Sequence, residues 1–160
     1  MKQISEFKNR SRHKTRSAVG KLLILSLLTG LVGCGDGRPT RVPVSGKVTI
    51  DGKPLKVGSV KFFPAEGGRQ AGAGLSEEGR YSVVMYEKND GLPVGEYNVT
   101  ITSTEPVSDT KIRWLIPKRF SERKTSKLKI EISEETDSLD FDLSWEKSES
   151  KHKSPWVESF

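Results

Sequence analysis

The chain is poor in the residues on which most site chemistry depends. It has one cysteine, Cys34, and two histidines, His13 and His152, among 160 residues. A single cysteine excludes an internal disulfide framework and any cysteine-built metal cluster. The two histidines sit near opposite ends of the chain, outside its patterned middle. That leaves no Ser/His/Asp arrangement and no His/Glu zinc set. No apolar run approaches the roughly 20 residues needed to cross a bilayer. The longest, Leu22 to Val32, is diluted by Ser26, Thr29 and Gly30. Helical periodicity is missing after residue 41, which excludes a parallel α/β fold built on helical crossovers. The glycine-rich "GGRQAGAG" (67–74) lacks the Lys-Ser/Thr ending of a phosphate-cradling loop. Asp137, Asp140 and Asp142 are close in sequence, but calcium takes about 6–8 oxygens and no loop here is that dense in ligands. The expectation is no metal and no cofactor.

Positive charge is also scarce where a nucleic-acid reading would need it. The chain has a net charge of +6, yet residues 1–33 hold seven Lys/Arg against Glu6 alone. Residues 34–160 hold twenty Lys/Arg and twenty Asp/Glu, so they are neutral overall. The basic excess therefore belongs to the N-terminal segment, and nucleic acid is not an expected partner.

That segment has three zones: a basic stretch to Lys21, the apolar run, and then Leu31-Val32-Gly33-Cys34. The order is that of an export signal. The four-residue ending resembles a bacterial lipobox. The resemblance implies cleavage between Gly33 and Cys34, with Leu31 and Gly33 filling the protease subsites. It also implies a covalent lipid on Cys34, more than one acyl chain being needed for stable anchoring. The mature protein would begin at Cys34, have no free thiol, and lie at the cell envelope after export across the inner membrane.

Residues 34–41 read as a tether. Period-two alternation then begins. Val42 to Ile50, Val57 to Pro64, Arg69 to Ser76, Tyr81 to Met85, Tyr97 to Ile101, Lys127 to Ile132 and Leu139 to Leu143 read as seven strands. Asp51-Gly52 and Glu78-Gly79 mark turns. The expected fold is all-β, a single antiparallel seven-stranded β-sandwich over 42–145. Residues 146–160 read as a disordered tail.

The landmarks "VPVSGKVTIDGKPL", "GSVKFFP", "EEGRYSVV", "PVGEYNVTI" and "LDFDL" occur in that order between residues 42 and 143. Together they resemble the carboxypeptidase-regulatory-like, transthyretin-like β-sandwich of small secreted lipoproteins. The resemblance implies an accessory module and not a peptidase. A purine-pathway hydrolase of similar fold relies on core histidines and a Tyr-Arg-Gly-Ser-like C-terminus, and this chain has neither. Tyr97 is expected to enter the core with its hydroxyl on a nearby backbone group, as in a tyrosine corner.

One segment breaks the pattern. Thr104 to Thr125 joins two strands through a stretch too long for an ordinary connection. Lys111 to Lys129 carries eight basic residues and only Glu122 as an acid. Trp114, Lys118, Arg119, Phe120, Arg123 and Lys124 are the candidate partner-binding residues, for an anionic polymer or an envelope protein. The blander reading has Trp114, Leu115 and Ile116 pinning the loop while the charges face the acids of Glu131 to Glu146. The expected function is a lipid-anchored, non-enzymatic binding or structural module. The alternative is a carbohydrate-binding protein stacking sugars on Trp114, Trp145 or Trp156, which requires exposed rings.

Overall fold

The computed structural model describes residues 37–146 and 152–159. Leu31, Val32, Gly33 and Cys34, and with them the signal and lipidation expectations, lie outside the described residues. Pro39 to Phe160 forms one compact unit.

Each stretch of alternation in the sequence overlaps a strand, although within Tyr81 to Met85 the strand ends at Ser82. The strands are β1 (Ser45–Ile50), β3 (Ser59–Pro64), β4 (Ala71–Gly74), β5 (Arg80–Ser82), β6 (Gly95–Thr102), β9 (Leu128–Ile132) and β10 (Phe141–Leu143). A short β2 (Lys53–Pro54) folds back on β1 through Asp51 and Gly52, both at positive φ, as a two-residue hairpin turn requires. One sheet contains β10, β1 and β2, with β5 also paired to β1; a second runs β4-β3-β6-β9. Their inner faces meet. Phe62 of β3 lies 6.1 Å from Tyr81 of β5 and 6.5 Å from Phe141 of β10, ring centre to ring centre. Val48, Val60, Phe62, Val99 and Ile101 are fully buried between the sheets. Each such side chain contributes roughly 1.5–3 kcal/mol on leaving water.

The all-β expectation holds, but the pairing is not wholly antiparallel. β10 runs parallel to β1, with Val48 opposite Phe141 and Ile50 opposite Leu143. The connection from β9 explains this. It crosses from the second sheet to the first at the end where the chain enters, bridging Val44 through Thr136. The chain leading into β10 therefore passes the start of β1, where Leu139 N–H donates to Ser45 O, and β10 runs alongside the second half of β1 in the same direction.

That tether end is defined by the Val42–Leu92 bridge. β1, β4, β6 and β10 run away from it, and β3, β5 and β9 run back toward it. The 104–125 segment and the chain's last strand therefore both leave from the far end.

Residues 104–125 are not a structureless loop. They contain the hairpin β7 (Thr104–Ser108) and β8 (Lys111–Trp114), a 3-10 turn (Lys118–Ser121) and the start of the helical turn α1 (Arg123–Ser126). The tail differs from expectation as well. Trp156–Ser159 forms β11, antiparallel to β8, in a third sheet of order β11-β8-β7. A tryptophan and a valine favour a strand, and the edge of β8 supplies the backbone partners that no local pattern reveals.

Candidate partner-binding surface

Trp114 ends β8 and is buried, with 6% of its surface exposed. Its indole Nε1 donates to Glu158 Oε2 at 2.8 Å, and its ring stacks on Trp156 at 6.4 Å and 18°. His152 stacks in turn on Trp156 at 4.1 Å. Lys118 Nζ donates to both oxygens of Glu158, at 2.8 and 3.0 Å, and lies 5.4 Å above the Trp114 ring. The hydrogen bonds from Lys118 and Trp114 hold the Glu158 carboxyl below its ordinary pKa. Trp114 and Lys118 are thus engaged within the fold.

Ile116 is fully buried in the core and Leu115 packs against it. Leu115 N–H donates to Ser103 O at 3.0 Å. Phe120 is buried too. Ser126 Oγ donates to Val99 O at 2.5 Å, at the position of β6 where β9 begins with Leu128. Thr100 points outward by strand alternation and is nevertheless buried. Residues 118–126 therefore form a strap over the outer face of β6 at its far half. Pinning by the apolar residues is what the blander sequence reading expects. The acids are different from those expected: Lys118 meets Glu158, and Arg113 meets Glu105 at 3.6 Å. Neither carboxylate lies in Glu131 to Glu146.

Arg119, Arg123 and Lys124 remain. The Arg119 guanidinium covers the Phe120 ring at 4.2 Å, and that of Arg123 covers Phe63 at 4.7 Å. Arg123 and Lys124 are exposed and Arg119 is half-buried. None of the three has a carboxylate partner among the described residues.

The tether end has its own polar node. Asp90 accepts from the N–H groups of Met85, Tyr86 and Glu87 at 2.7, 2.9 and 3.1 Å, and Arg41 Nε lies 3.0 Å from its Oδ2. Burial opposes the charge on Asp90. The three backbone donors and Arg41 outweigh it, so the pKa falls below the ordinary carboxylate value. Arg41 and Arg69 also lie over the Tyr86 ring, at 4.9 and 4.6 Å. This cluster ties the incoming chain to the turn before β6.

Trp145 is 3% exposed, and Trp156 is half-buried in the stack. The paired exposed rings needed for sugar stacking on Trp114 and Trp145 are therefore not there. Among the described residues no group of three His, Cys, Asp or Glu is placed to hold a metal. Asp140 instead accepts from Lys47 N–H at 2.7 Å, and Asp142 accepts from the Thr49 hydroxyl. The residue that sequence reasoning missed is Glu158. Its only signal is the alternation Trp156-Val157-Glu158-Ser159, too short to stand out from a polar tail. The chain matches no family model, no curated protein and no solved structure.

Proposed function

We propose that this protein is a lipid-anchored, non-enzymatic module of the cell envelope, held by an acylated Cys34 and acting through binding. The observation that carries the reading is the order of the N-terminus. A basic zone, a short apolar zone and Leu31-Val32-Gly33-Cys34 are followed within five residues by the compact unit that begins at Pro39. From Cys34 to Val42 the chain reaches at most about 28 Å when extended, so the anchor would keep the β-domain close to the membrane.

The transthyretin-like reading belongs with this proposal. It is supported by strands at all seven expected places, by two facing sheets, and by Tyr97, whose hydroxyl donates to Pro93 O at 2.8 Å. A non-enzymatic role fits the stacking of His152 on Trp156 and the structural use of Asp90, Asp140 and Asp142. Metabolic labelling with a fatty acid tests the anchor. The native chain should be tagged and Cys34→Ser should not; labelling that survives the substitution rejects it.

A further inference from the structure

The strap and the sheet beneath it place six cations on one outer surface. Arg119, Arg123, Lys124 and Lys127 come from the strap and its exit. Lys61 lies in register with Thr100, and Lys129 with Asn98. Lys61 and Lys129 face outward because their neighbours Phe62 and Ile130 pack inward. None of the six has an ion-pair partner among the described residues, whereas Arg41, Arg113 and Lys118 each have one. Glu96 and Glu131, paired in the next row toward the tether end, close the surface on that side.

Two features narrow the ligand. Arg119 and Arg123 lie with their guanidinium groups over phenyl rings. Arg123 is exposed, and a guanidinium held there by its face turns its N–H edges outward, a fork that matches a planar carboxylate. Arg119 is half-buried, with its Nε buried and without a hydrogen-bond partner among the described residues. Apolar anchors of the kind a folded protein partner needs are missing here. Among the described residues the exposed large apolar side chains are Val57, Val84, Val94, Val107 and Val157, none of them in the strap or on the outer row. Spread-out charge without an apolar centre suits a flexible polyanion.

We propose that this face binds a carboxylated polysaccharide, a chain of repeating uronate units. The inference deepens the binding role proposed above and rests on that role, but not on the lipid. The strap lies toward the far end of the domain, so a chain anchored through residue 34 would present it away from the membrane.

The test is isothermal titration of the purified full chain with polygalacturonate at physiological salt, with a neutral glucan and poly-glutamate as comparison probes. The native chain should bind polygalacturonate and not the glucan. R119Q/R123Q/K124Q/K127Q should weaken binding by about tenfold or more, since four cationic contacts are lost. R119K/R123K keeps the charge but loses the fork, and should be weakened as well. K47Q/K88Q, away from the strap, should bind like the native chain. Equal binding by the quadruple variant, no binding by the native chain, or binding of poly-glutamate alone overturns the proposal. The titration needs no membrane. A chain that binds the polymer but is not acylated therefore refutes the anchor and leaves this inference standing.

Discussion

Trp114 and Glu158 are joined across 44 residues of sequence by a hydrogen bond of 2.8 Å from the indole to the carboxylate. The same carboxylate holds Lys118 at the start of the strap. One acidic side chain near the C-terminus thus secures both the last strand and the segment that carries the unpaired cations.

Acid should loosen this junction. The pKa of Glu158 is lowered on folding from its ordinary 4.5, so its stabilising contribution is present above that value and is lost as pH falls through the folded pKa. Tryptophan fluorescence should therefore shift to the red below about pH 4.5 as β11 leaves β8. Glu158→Gln should show the loosened state at neutral pH, with faster amide exchange at 156–159. Unchanged exchange in that variant would show that strand pairing and ring stacking suffice without the carboxylate.

Gly46 lies where β1 comes close to the chain leading into β10. A Cβ there would overlap Leu139 O, a backbone atom that cannot yield as a side-chain end does. Gly46→Ala should cost about 1–3 kcal/mol or more in urea unfolding. Gly74→Ala meets nothing within 4 Å and should stay within about 0.5 kcal/mol of the native chain. Similar midpoints for the two variants would contradict the close approach of β1 and the chain leading into β10.

Tyr97→Phe should lose about 0.5–1.5 kcal/mol, the net worth of its bond to Pro93 O. Alkaline titration offers a second check. Burial raises the pKa of Tyr97; burial, and then the Asp140 charge, raises that of Tyr81. For groups whose folded pKa is raised, stability is present below the unfolded value of about 10 and is lost as pH climbs through the folded one. Absorbance of ionised tyrosine should therefore lag behind that of free tyrosine and then rise together with unfolding. Full ionisation while the fold persists would contradict the buried placement of Tyr81.

Much of the fold was legible because alternation is a local property. Val60 and Phe62, or Tyr97, Val99 and Ile101, declare an inward face within a few residues. Tyr97 and its hydroxyl partner could be anticipated for the same reason, since the bond spans only four residues. The candidate surface was legible by composition alone. Basic and aromatic residues between 111 and 129 marked it, but which of them were free was hidden. Trp114 and Lys118 are taken up by Glu158, and Phe120 by the core, through contacts that no window of sequence contains.

By itself the sequence determined the positions of the seven strands of the two facing sheets that alternation marks, the neutrality of residues 34–160 and the three-zone N-terminus, all of which follow from neighbours in the chain. The tertiary structure decided that β10 lies parallel to β1, that β11 completes the edge of β8, and that the strap crosses β6. Those outcomes depend on backbone donors and acceptors that must be paired once buried. The groups that satisfy them, Ser126 for Val99 and β11 for β8, lie tens of residues away along the chain.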